Sequence, residues 1–150
     1  MPRGRLALVS VCLCLVCLIV LMPQAAARFC TRDSIQKIEH LIGKAPEMKG
    51  LNCRLYTPTI DHYKQKCPSA TMKCFAGEMN VLLDEWEITD VYLIKLKTSL
   101  KTLADRLNKT QSGCTIHCEL FEMAEPEIFL NILRETLLLM NTLHCTQETR

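Results

Sequence analysis

Between positions 71 and 107 the apolar residues fall into two stripes, each repeating every seven residues. Met72, Phe75, Met79, Leu82 and Trp86 share one helical face. Leu93, Leu96, Leu100, Leu103 and Leu107 share a second, with Lys95, Lys97 and Lys101 turned away. The stripes predict a helix over about 71–86 and another from an N-cap at Thr89-Asp90 to about 107. A seven-residue repeat is the pattern of near-parallel packing in bundles. Phe129, Ile132, Leu133, Thr136, Leu137 and Met140 predict a further helix over about 125–144, with Pro126 acceptable in its first turn. A shorter one, over 32–43, carries Ile35, Ile38 and Ile42 and stops at Gly43. Between them, 44–70 is broken by Pro46, Gly50, Pro58 and Pro68, so it is not one helix. Leu55-Tyr56-Thr57 there is a short-strand candidate, and 108–124 is polar with Gly113.

Connection lengths set the topology. The second and third helices are two to four residues apart, which makes them antiparallel neighbours. The other two connections are long enough to travel the length of a bundle, at about 1.5 Å per helical residue. Short in the middle and long on both sides gives an all-α, up-up-down-down four-helix bundle with two long crossover loops.

Composition adds a leader and a sulfur framework. Arg3 and Arg5 precede an apolar run over 6–22, and Ala25-Ala26-Ala27 suits signal peptidase. Residues 1–27 are therefore expected to be a signal peptide, leaving 28–150 as one secreted domain. The alternative is a membrane anchor, and Pro23 with the small residues favours cleavage. The whole chain has 18 basic and 16 acidic residues. Two of the Arg lie in the leader, so the mature chain is near neutral, which argues against a nucleic-acid partner. Of ten cysteines, Cys12, Cys14 and Cys17 leave with the leader. In an exported chain the remaining seven are read as disulfides, with one left over. In the up-up-down-down arrangement the starts of the first two helices and the ends of the last two share a pole. The doublets Cys67/Cys74 and Cys114/Cys118 meet there, giving Cys67–Cys114 and Cys74–Cys118. Cys30 and Cys145 share the same pole and form the third expected pair, with Cys53 unpaired.

Several stretches carry a family likeness: Lys37-Ile38-Glu39, Leu55-Tyr56-Thr57, Ala70-Thr71-Met72-Lys73-Cys74-Phe75 with Glu78, Asn108 through Cys114, and Phe129-Leu130. Their order and spacing resemble the interleukin-15 cytokines (interleukin-15 and its interleukin-15-like paralogue), in the interleukin-2 group that uses the common gamma chain. The most specific motif is Met72-Lys73-Cys74-Phe75 together with Ser112-Gly113-Cys114 and Cys118-Glu119. The chain departs from the family in having three residues, not two, between Cys114 and Cys118, and in Cys30, Cys53 and Cys145. The resemblance implies a disulfide-stapled cytokine bound by a sushi-domain alpha receptor, a beta chain shared with interleukin-2, and the common gamma chain. It implies action on T and NK lymphocytes, and the pairs Cys67–Cys114 and Cys74–Cys118.

Glu78 and Glu85 lie seven apart on one helical face beside the core stripe, which alone is compatible with a solvated acidic face. By resemblance they match, with Tyr56, the alpha-receptor surface. Leu138 lies nearly opposite the Phe129–Met140 stripe, among Asn131, Arg134 and Glu135. By resemblance it falls where the family sets a Gln against the gamma chain, with Asn141 as a neighbouring polar contact. The beta-chain surface maps to Asp33, Ser34, Asp90 and Ile94. Asn108-Lys109-Thr110 is an N-glycosylation acceptor. Cys114 and Cys118 with His117 are read as disulfide partners in an exported chain, not as a metal site. The four His are scattered, and no nucleophile–base pair or phosphate loop accompanies them, so no enzyme, cofactor or metal is expected. The competing reading is a secreted, disulfide-stapled, saposin-like lipid binder, which the long crossovers do not fit.

Overall fold

A computed structural model describes residues 30–65, 67–110, 114 and 117–144. Residues 1–27 and Cys145 lie outside the described residues, and with them the expectations for the leader and for the Cys30–Cys145 pair. The chain divides into two compact units, one of residues 31–139 and one of 1–30 with 140–150. In the second, the described part is Cys30, which is disulfide-bonded, and residues 140–144.

The larger unit contains the bundle. Helix α1 (Arg32–Lys44) carries Asp33 in its first turn and Lys44 in its last, each matched to the nearby end of the helix dipole. It runs into a 3-10 turn at Ala45–Met48. The first crossover contains strand β1 (Leu55–Tyr56) and a short helix, α2 (Ile60–Gln65). Helix α3 (Pro68–Glu85) and helix α4 (Val91–Thr110) follow. The second crossover holds a 3-10 turn at Cys118–Leu120 and strand β2 (Met123–Ala124), and α5 (Pro126–His144) ends the described chain.

The long helices form where the stripes place them, with differences at the edges. Helix α3 starts at Pro68, three residues before the sequence expectation. Proline at the first helical position loses no intrahelical hydrogen bond, so it opens this helix instead of blocking it. Cys67 is thereby its N-cap, and Cys74 lies inside it. On α1 the buried face is Ile35, Ile38 and Leu41, while Ile42 is half-buried. Leu130 joins Phe129, Leu133, Thr136, Leu137 and Met140 in full burial, and Ile132 is half-buried. All ten residues of the two central stripes are buried.

Cross-helix contacts give the directions. Ser69 Oγ donates to the Ala104 carbonyl at 3.1 Å, and Lys97 Nζ to Asp84 Oδ1 at 3.0 Å, so α3 and α4 are antiparallel. Thr31 Oγ1 donates to the Leu137 carbonyl at 3.3 Å, and Arg134 Nε to Glu39 Oε1 at 3.0 Å, so α1 and α5 are antiparallel. Ala45, Trp86 and Pro126 line one cavity, which brings the ends of α1 and α3 and the start of α5 to one pole. Cys67 and Cys114 join the start of α3 to the segment beyond α4 at the other. Helices α1 and α3 therefore run one way and α4 and α5 the other. The two crossovers are stitched together by β1 and β2, antiparallel in the register Leu55↔Ala124 and Tyr56↔Met123.

Candidate functional site

A carboxylate of α3 accepts a hydrogen bond from the first crossover. Strand β1 alternates its amides, as any strand must. The Thr57 N–H donates to the Glu122 carbonyl at 2.9 Å, toward the second crossover. The Tyr56 N–H instead donates to Glu78 Oε2 at 2.8 Å. Leu55 is fully buried, whereas Tyr56 is half-buried and its cross-strand neighbour Met123 is exposed. Glu78 is itself half-buried, and burial pushes its carboxyl above the usual glutamate value, with the Tyr56 amide pulling the other way. Two turns further along α3, Glu85 is exposed. Close to both lies Cys53, a buried unpaired thiol. Burial raises its pKa, and the negative charges of Glu85 and then Glu78 add to that. Tyr56, Glu78 and Glu85 thus occupy one region around α3 and β1.

A second cluster joins α1 to the start of α4. Lys37 Nζ lies 2.6 Å from Asp33 Oδ2 and 5.0 Å from the centre of the Tyr92 ring. Asp90 Oδ1 accepts the Tyr92 N–H at 2.9 Å and caps α4. Asp33, Asp90, Val91 and Tyr92 are exposed, Ile94 is half-buried, and Ser34 is buried. Sequence reasoning missed Lys37 and Tyr92. Lys37 follows Ser34 by three residues and precedes Leu41 by four, so a helical wheel puts it on the buried side. On α5, Leu138 is exposed and Asn141 half-buried.

At the sulfur pole Cys67 is bonded to Cys114 and Cys74 to Cys118, with Cα–Cα distances of 5.6 and 5.2 Å. The sulfurs beside His117 are thus engaged in disulfides. Asn108, at the end of α4, is exposed.

An up-up-down-down bundle with two stitched crossovers, and staples from the start of α3 to the segment beyond α4, defines a helical cytokine. The comparison with protein families goes one step further. The family model described as Interleukin 15 matches residues 12–141, and the chain belongs to the interleukin-15 family. No curated protein and no solved structure matches it. Membership makes the chain a cytokine, in a family that is not one of enzymes. Among the described residues no helix is long and apolar enough to cross a membrane.

Proposed function

We propose that the chain is a secreted cytokine that binds a sushi-domain alpha receptor and brings together the shared beta chain and the common gamma chain, stimulating T and NK lymphocytes. Its action is assembly without catalysis: receptor chains held on different helical faces bring their cytoplasmic kinases into contact. Residues 1–27 are removed on export, a third disulfide joins Cys30 to Cys145, and Asn108 carries a glycan. Tyr56, Glu78 and Glu85 form the alpha surface, where acidic groups meet receptor cations. Asp33, Ser34, Asp90 and Ile94 form the beta surface, with Asp33 exposed beside the buried Ser34. Leu138 and Asn141 face the gamma chain.

The observation that carries this reading is the convergence of Tyr56, Glu78 and Glu85 around one helix and one strand in a chain of the interleukin-15 family. The experiment is binding of refolded mature protein to the three receptor ectodomains. Glu78→Lys is expected to weaken the alpha chain alone, and Leu138→Asp the gamma chain alone. Unchanged binding in both variants removes the site assignments.

A further inference from the structure

We infer that the groove over the two disulfides at the sulfur pole is the seat of the first sugar of an Asn108 glycan, and that the seated sugar shields both bridges from reductants. The inference rests on the reading of Asn108 as a glycosylated residue.

The start of α3, the end of α4 and the segment beyond it enclose a groove of about 320 Å³. That volume lies at the lower end of the range for small-ligand sites, the scale of one ring and not of a chain of them. Asn108 lines the groove and is exposed. An N-linked glycan starts with N-acetylglucosamine bonded to the Asn side-chain nitrogen, so its first ring is attached at the wall of the groove itself. The other walls suit a sugar. Lys73 is exposed and in no ion pair among the described residues, and its ammonium has three donors for hydroxyl and N-acetyl oxygens. Ala70 and the His117 ring offer apolar surface to the C–H face of the ring. The floor is sulfur: Cys74, Cys114 and Cys118, three of the four partners in the two bridges, also line the groove. Cys67 and Cys74 are buried, whereas Cys114 and Cys118 are half-buried. Thiol–disulfide exchange depends on which sulfur an attacking thiolate can reach. Each bridge is open to solvent on its Cys114 or Cys118 side, and both of those residues face the groove. A ring seated there stands in the path of attack on both.

Three forms of the full mature chain, secreted from mammalian cells, separate the first sugar from the rest. One carries the intact glycan, one is trimmed by an endoglycosidase to a single N-acetylglucosamine, and Asn108→Gln carries none. The experiment reads the rate at which excess dithiothreitol opens each bridge in native buffer, by alkylation and peptide mapping. The intact and trimmed forms are expected to agree within about twofold, and Asn108→Gln to be reduced about tenfold faster at both bridges. Iodoacetamide labelling of Cys53, buried and unpaired, reports general opening of the fold and is expected at one rate in all three forms. In the trimmed form, nuclear Overhauser contacts are expected between the sugar and the Ala70 methyl or the His117 ring. Equal reduction of the trimmed form and Asn108→Gln, or the absence of those contacts, overturns the inference. Cys53 labelling that rises in step with reduction also overturns it, because the glycan then acts on stability and not from a seat. Peptide mapping that finds no sugar on Asn108 defeats the glycosylation reading itself, and the seat with it.

Discussion

Lys37 allows an asymmetric test of the contact between α1 and α4. Its side chain is 4% exposed, whereas that of its partner Asp33 is 73% exposed. Removing either residue breaks the same 2.6 Å pair, but the two losses differ in kind. Asp33→Ala leaves a buried ammonium with the Tyr92 ring, 5.0 Å away, as its remaining partner among the described residues. A hydrogen bond to a charged group contributes about 1.5–3 kcal/mol, and exposure of the carboxylate pulls this toward the lower end. The first-turn dipole contribution of Asp33 and the better helix propensity of Ala are each under about 1 kcal/mol and oppose each other. Asp33→Ala should thus cost about 1.5–2 kcal/mol. Lys37→Met keeps the stem in the interface and removes the charge that needed a partner. It loses a cation–π contact of about 0.5–1 kcal/mol and relieves the ammonium's desolvation, for a net change within about 1 kcal/mol. Urea unfolding with disulfides intact measures both variants and the double mutant. The expected coupling is about 1.5–2 kcal/mol, with Asp33→Ala the costlier single change. Equal costs, or a coupling under about 0.5 kcal/mol, would refute the reasoning.

Phe75 and Phe129 are fully buried with ring centres 5.5 Å apart. Phe75→Ala should cost about 3–5 kcal/mol, and a cycle of the two Leu variants should show coupling near 1 kcal/mol; additive losses would mean the rings do not meet. The bond between Cys67 and Cys114 spans 47 residues. The double Ala variant should lose about 4 kcal/mol in urea unfolding if the chain-entropy account holds, and a loss under about 1 kcal/mol would speak against it. Because burial holds the Glu78 carboxyl above its ordinary value, the folded chain keeps that proton to higher pH than the unfolded chain. Wild type should therefore lose stability relative to Glu78→Gln as pH rises from about 4.3 through the raised value; a difference independent of pH contradicts this. The buried Cys53 thiol, with its pKa raised, should alkylate with iodoacetamide far more slowly in the native chain at pH 8 than in urea. Equal rates would place it at the surface.

The bundle was legible because two heptad stripes and one short turn constrain α3 and α4 almost completely. What the residue pattern hid was set by tertiary contact. Pro68 reads as a breaker until its place at the first position of a helix is known. Met123-Ala124 has no alternation of its own and becomes β2 only by pairing with Leu55-Tyr56. A helical wheel sets Lys37 on the buried side, but the Tyr92 ring that meets its ammonium comes from another helix. The candidate surfaces divide in the same way. Glu85 and Leu138 stand off their core stripes, so a helical wheel finds them exposed. The bond from Tyr56 to Glu78 joins a crossover to a helix 22 residues away, which no local period encodes. Ser34 and Asp33 are neighbours in sequence, and only the packing of α1 decides which one faces outward.

The most direct test of the account is a titration of the refolded mature chain with the sushi-domain alpha-receptor ectodomain. The sample should first have the Cys67–Cys114 and Cys74–Cys118 bonds verified by peptide mapping. Saturable one-to-one binding, weakened about tenfold or more by Glu85→Lys with the thermal melt unchanged, is the expected result. A correctly bonded, cooperatively folded chain that does not bind, or that binds equally well with Glu85→Lys, contradicts it.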